Sequence, residues 1–222
     1  MGSISTYRSA FPSFKQKLAT LDNTLPADEF ARIKAEVTAL VETERSFLPT
    51  HKKGGTVAYS TLREKAPALV KHYHSTTMSQ LVSHIVGIAV APTPSHDESS
   101  CSVLFYEKPG DHIGWHYDHN FYSGRHFTVL IPVVNCGNGG GLSAARLVAK
   151  LNGKDVEIST PLNRMIIFEG ARVRHKVTPI AEGERRVVWS MTYCADPRNS
   201  PLQGIARRLK DTAFFGVRSL WS

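Results

Sequence analysis

The segment Gly114-Trp115-His116-Tyr117-Asp118 sets an imidazole and a carboxylate two residues apart. On a strand, residues two apart project to one face, so His116 and Asp118 would lie side by side. One further histidine from a distant strand would complete a face of two histidines and one carboxylate. Such a set leaves three adjacent coordination positions open, which suits an iron(II) ion that must bind both a cosubstrate and oxygen. His175 is the candidate third ligand. It follows the apolar run Met165-Ile166-Ile167-Phe168 and a glycine turn at Gly170. The remaining histidines carry less. His72, His74, His84 and His96 fall in a helical region or its exit, and His51 and His112 beside turns.

Beyond His175 comes Arg185-Arg186, followed by an apolar strand. Period-two alternation puts Arg186, Val188, Ser190 and Thr192 on one face and Arg185, Val187, Trp189 and Met191 on the other. A guanidinium inside a barrel is costly unless it meets an anion. Its planar fork suits a two-pronged grip on a carboxylate. Alternation alone does not say which arginine points inward.

These residues need a frame. The first third reads as helical. Pro26-Ala27-Asp28-Glu29 resembles a helix start, and Phe30, Ile33, Val37, Leu40 and Val41 recur at helical spacing to about residue 47. Segments 61–73 and 78–86 read as two further helices. Between them and the first helix lies a polar, glycine-bearing loop from His51 to Thr56, with Tyr59 just beyond; it is a candidate lid. From Cys101 short β-rich runs alternate with turns, at 102–107, 126–134, 144–151, 156–160, 165–168 and 186–194. Asn152-Gly153 marks a hairpin. Many short strands without intervening helices point to a sandwich or barrel. A short C-terminal helix is expected over 201–210.

The 222 residues suffice for one domain with a buried core. No apolar run is long enough for a membrane span, and Met1 to Phe14 lack the apolar core of a signal peptide, so a cytoplasmic location and no membrane partner are expected. Three scattered cysteines exclude a disulfide framework and a zinc ribbon. The net charge of +8 is spread along the chain rather than gathered in a nucleic-acid-binding arm, yet it leaves nucleic acid among the partners to test. The sequence leaves the oligomeric state open.

Several motifs in order resemble the iron(II)- and 2-oxoglutarate-dependent dioxygenases, closest to their prolyl-4-hydroxylase-like branch. Phe105-Tyr106-Glu107-Lys108-Pro109-Gly110 resembles the strand before the metal motif. His116-Tyr117-Asp118 resembles the His-x-Asp pair, and Arg125-His126-Phe127-Thr128 the strand after it. Gly139-Gly140-Gly141-Leu142 resembles a family turn, His175 the distal histidine, and Arg186-Val187-Val188-Trp189-Ser190 the cosubstrate strand. The resemblance covers about residues 100 to 196. It implies an α+β chain with a mainly β core, a cupin-like double-stranded β-helix (jelly roll) over 100–196. Residues 1–99 would form helical support and lid, and 197–222 a helix and tail, all within one domain.

The resemblance also implies iron on His116, Asp118 and His175. It places 2-oxoglutarate near Tyr106, Thr128, Ser190 and Arg186, with Arg185 as the alternative arginine. Arg186 is favoured because Ser190 stands four residues on. Ascorbate is a candidate reductant. Candidate substrate contacts are Tyr117, His119, Asn120, Phe121, Tyr122 and Tyr59. The expected reaction oxidises a C–H bond, releasing succinate and CO2, on a small molecule or an amino-acid or peptide side chain. Oxidation or demethylation of a nucleic-acid base, and a non-catalytic cupin-type metal-binding module, are the alternatives. In related halogenases a small residue replaces the carboxylate; the presence of Asp118 favours hydroxylation.

Overall fold

The structure is a computed structural model that describes residues 14, 17–44, 46–47, 52–198, 204–206 and 209. Four helices come early: α1 (Ala27–Thr43), α2 (Tyr59–Lys65), α3 (Pro67–Tyr73) and α4 (Thr76–Val86). Helix α1 buries Ile33, Val37, Leu40 and Val41 along one stripe, and Asp28 and Glu29 sit in its first turn, where the helix dipole favours negative charge. The Ser75 hydroxyl caps α4 by accepting from the Met78 amide, and Gly87 ends it at a φ of 75°. The single helix expected over 61–73 is in fact two. Pro67 lacks the amide that would continue α2 and instead opens α3 from its first turn.

Thirteen strands are formed by the described residues. Those before the β-rich half are β1 (Leu18–Leu21), β2 (Ser46–Phe47), β3 (Lys52–Lys53), β4 (Gly55–Val57) and β5 (Ala91–Pro92). The rest are β6 (Cys101–Tyr106), β7 (His112–His116), β8 (His126–Cys136), β9 (Leu147–Leu151), β10 (Lys154–Ile158), β11 (Met165–Phe168), β12 (His175–Val177) and β13 (Arg185–Cys194). One sheet runs β1-β11-β8-β13-β6-β4-β2, with β5 against β13; the other runs β10-β9-β12-β7-β3. From β6 onward the chain passes back and forth between the two sheets, and every pairing is antiparallel. This is a double-stranded β-helix. Asn152 and Gly153 turn β9 into β10 with φ values of 50° and 79°, the left-handed pair that a two-residue hairpin requires.

Two apolar layers hold it together. Leu130, Leu147, Ile166, Phe168 and Val188 fill the space between the sheets. Val37, Leu62, Leu69 and Val82 of the helices pack on the outer face of the larger sheet, against Val103, Phe127, Ile131 and Trp189. Each such side chain contributes about 1.5–3 kcal/mol by leaving water. The alternation along β13 follows: Val187, Trp189 and Met191 join the helical layer, while Val188 faces the interior.

The segment expected as a polar loop is strand instead. Lys52–Lys53 pairs with β7 and Gly55–Val57 with β6, so residues 52–57 stitch both sheets; His51 lies outside the described residues. Gly55 fits because a Cβ there would come within 1.8 Å of the Phe105 ring. Strands of two and three residues carry no readable periodicity, and only their tertiary partners define them. Asp118 also departs from expectation. β7 ends at His116, and Asp118 lies beyond it, its amide donating to the Gly170 carbonyl at 3.1 Å. Of the tail, 204–206 are helical and the remainder of 201–210, apart from Leu209, lies outside the described residues. No helix of the described residues is long and apolar enough to cross a membrane.

Candidate active site

His175 opens β12 directly opposite His116, the last residue of β7. Their ring centres are 4.1 Å apart. One ligand atom from each of His116, Asp118 and His175 lies within 4.8 Å of the other two. Asp118 Oδ1 is 3.5 Å from His116 Nε2 and 3.6 Å from His175 Nε2. Backbone carbonyls fix both rings: Nδ1 of His116 meets Gly114 O at 2.8 Å, and Nδ1 of His175 meets Val173 O at 2.9 Å. A carbonyl can only accept, so each Nδ1 carries the proton and each Nε2 turns its lone pair to the shared centre.

Asp118 is held as firmly. The Thr128 hydroxyl donates to Asp118 Oδ2 at 2.5 Å. Gly170 backs the pair, since a Cβ there would fall 2.4 Å from Asp118 Oδ2 and 2.8 Å from Thr128 Oγ1. Burial disfavours the Asp118 carboxylate, but His175, His116 and Thr128 together hold it well below the usual carboxylate range. Burial lowers His175, partly opposed by the Asp118 charge, which favours the neutral, metal-binding imidazole. Two imidazoles and a carboxylate, prearranged around one point, fit a first-row divalent ion with open positions.

Inward from this centre lies a chamber of about 70 Å³, walled by Leu104, Leu130, Leu147 and Val188. Arg186 and Tyr106 reach into it, both almost fully buried. Arg186 and the Tyr106 hydroxyl interact with each other, and Arg186 Nε and Nη2 and the Tyr106 hydroxyl find no further hydrogen-bond partner among the described residues. Burial lowers the Arg186 pKa and pushes the Tyr106 phenol up to about 12. A buried guanidinium with two idle donors is a site for an anion. Arg185 points away, to Glu42 at 2.9 Å and Glu107 at 2.7 Å. Ser190 and Thr128 line this chamber as well.

Outward lies a second chamber of about 360 Å³, which shares His116, Asp118, Thr128 and Ser190 with the first. Its volume falls within the range of small-molecule sites. Tyr117 and His119 line it. Phe121 stacks on His119, ring centres 5.7 Å apart. Asn120 and Tyr122 line neither chamber. Asn120 bridges the Gly124 carbonyl and the Tyr122 amide, and the Tyr122 hydroxyl donates to Asp97, itself a wall residue. Tyr59 is buried in the helical layer, its hydroxyl 3.0 Å from His74 Nε2, and lines neither chamber. Sequence reasoning missed Gly170, Trp115 and Asp97. Only the glycine had a visible signal, as the turn before His175.

Residues 4–143 match the Halogenase D family, and residues 101–193 match the 2OG-Fe(II) oxygenase superfamily. No curated protein sequence matches the chain. The fold is similar to a prolyl-4-hydroxylase of Pseudomonas putida, with a TM-score of 0.60 and 15% identity over 83% of this chain and 95% of that one. It is also similar to an oxidoreductase of the 2OG-Fe(II) oxygenase family from Burkholderia pseudomallei, with a TM-score of 0.64 and 15% identity over 90% and 95%. The α-ketoglutarate-dependent epimerase SnoN of nogalamycin biosynthesis gives a TM-score of 0.66 and 15% identity over 85% and 79%. The chain belongs to the Halogenase D family, whose match covers more than half of it, and is an iron(II)- and 2-oxoglutarate-dependent dioxygenase whose fold is shared with prolyl-4-hydroxylases.

Proposed function

We propose that His116, Asp118 and His175 hold the iron, that Arg186 and Tyr106 hold the far carboxylate of 2-oxoglutarate, and that the enzyme hydroxylates a C–H bond of a small molecule or amino-acid side chain. The observation that carries this reading is the meeting of two chambers at the triad, the inner one ending on a buried arginine with two idle donors. When bound, iron(II) supplies the means for O2 and 2-oxoglutarate to oxidise the substrate. One oxygen atom enters a hydroxyl group and the other enters succinate, with CO2 released.

The protein's own work is placement. The carbonyls of Gly114 and Val173 keep both Nε2 atoms bare, and Thr128 keeps Asp118 turned inward. The apolar walls of the inner chamber exclude water and strengthen the attraction of the Arg186 guanidinium for an anion. The outer chamber takes the substrate, with Tyr117 and His119 on its wall. A non-catalytic cupin-type module would have no use for an open metal face and a buried anion clamp.

The name of the family raises halogenation as a second reading. Asp118 weighs against it. The carboxylate is bonded to Thr128, backed by Gly170, and occupies the position that a halide would need. The test is untargeted. The protein is incubated with cell extract, iron(II), ascorbate, 2-oxoglutarate and isotopic O2 in chloride-containing buffer. Small molecules or amino acids that gain one labelled oxygen support the reading; chlorinated products contradict it. Label appearing in nucleosides alone would favour base oxidation.

A further inference from the structure

Next to the metal ligands, three cations surround one aromatic ring. Lys176 Nζ lies 4.7 Å from the Trp115 ring centre, Lys150 Nζ 5.4 Å and Arg174 Cζ 5.7 Å. They come from adjacent strands. Trp115 is in β7, Lys176 in β12 with Arg174 just before it, and Lys150 in β9. His116 and His175 alternate with these residues and face the opposite side. Trp115 also forms part of the wall of the outer chamber, whereas Lys150, Arg174 and Lys176 line neither chamber, so the cluster adjoins the chamber through Trp115.

Folding alone gives little reason for this arrangement. A cation over an exposed ring is worth about 0.5–1 kcal/mol, and three like charges around one ring repel each other. Asp155 neutralises Lys150 at 2.8 Å. Arg174 and Lys176 have no carboxylate partner among the described residues. Two uncompensated positive charges on a rigid aromatic floor form a seat for an anionic group. The half-buried ring fixes the seat, and the flexible lysine and arginine ends close on what occupies it.

We propose that the Trp115–Lys150–Arg174–Lys176 shelf is an anion subsite that holds a carboxylate or phosphate group of the substrate beside the outer chamber, while the C–H bond to be oxidised reaches into it. This rests on the oxygenase reading of the same site and narrows the substrate to an anion-bearing molecule. Attraction at the shelf also raises the local concentration of such substrates.

The shelf is tested by direct binding, without turnover. The full chain is titrated with inorganic phosphate and, in a separate arm, with acetate, at constant ionic strength set with sodium chloride. Tryptophan fluorescence is followed, and Trp115→Phe identifies the responding ring. A saturable response that Trp115→Phe removes is expected. The arm that binds more tightly identifies phosphate or carboxylate as the group. Lys176→Gln and Arg174→Gln should each weaken binding by about tenfold, the usual cost of one charge-assisted contact. Lys150→Gln, an exposed change away from the metal ligands, should also weaken it and covers the case in which a change beside His175 disturbs folding. No saturable response in either arm, or one that survives in Lys150→Gln and in the Arg174→Gln/Lys176→Gln double variant, overturns the shelf. Anion binding without any 2-oxoglutarate turnover would instead sink the oxygenase reading and leave the shelf standing.

Discussion

Arg186 and Tyr106 are direct partners in the pairing of β13 with β6, and the Arg186 guanidinium carbon lies 5.2 Å from the centre of the Tyr106 ring. The sheet itself thus brings the buried cation and the buried phenol to one spot. Neighbouring Arg185 turns outward onto Glu42 and Glu107. Removing a buried charge-assisted clamp costs about 2–5 kcal/mol. Arg186→Ala should therefore raise the KM for 2-oxoglutarate by about a hundredfold or more. Arg185→Ala should leave that KM within about twofold, because its outward ion pairs are worth at most about 1 kcal/mol of stability. Steady-state succinate assays on the two variants decide it. The reverse ranking would reassign the clamp.

Thr128 acts through Asp118. Losing a partner that orients a metal ligand typically costs about 10–100-fold in metal affinity. Thr128→Val should weaken iron(II) binding in that range, and Thr128→Ser should restore most of it. Anaerobic calorimetry reads both. Unchanged affinity in Thr128→Val would show that the 2.5 Å bond does not position the ligand.

Gly170 is required by space. An added methyl group would collide with both Asp118 and Thr128. Gly170→Ala should weaken iron binding by about tenfold or more while circular dichroism stays native, because strain of about 1–3 kcal/mol falls on the ligand carboxylate. A native affinity would mean that the loop yields at no cost to the site.

Alkaline stability follows from buried acids. Burial pushes the Cys101 thiol from 9.0 up to about 12 and the Tyr106 phenol from 10.0 up to about 12, and lifts Tyr73 and Tyr193 well above 10.0. The folded state favours the neutral forms, so their contribution is complete below about pH 9 and is lost as pH rises toward 12. The Tm should fall progressively over that window. In Cys101→Ala the fall should begin nearer pH 10, where the tyrosines take over. A flat Tm across the window would contradict this burial.

The site was more legible than its frame. His116, Asp118 and His175 are readable as candidates because metal ligation restricts residue types to a few, and Arg186 because alternation pairs it with Ser190 on one face, the arrangement that the resemblance implies. Expected strand 165–168 matches β11, since a four-residue apolar run between turns has little freedom. The stitching strands β3 and β4 were hidden. Lys52-Lys53-Gly54-Gly55 looks like a loop, and only pairing with β7 and β6 makes it sheet. Gly170 acts through a 2.4 Å approach to a residue 52 positions earlier, which no local pattern records. Tyr59 misled for the opposite reason: a tyrosine beside a glycine loop looks available, but its hydroxyl is committed to His74 in the helical layer.

The measurement closest to the central claim is the yield of succinate against hydroxylated product under isotopic O2, with and without iron(II). Both should depend on iron and 2-oxoglutarate and form in equal amounts with one labelled oxygen in each, and His116→Ala should abolish both. Iron-independent turnover, a product that carries halide in place of oxygen, or a His116→Ala variant altered only in stability would contradict it.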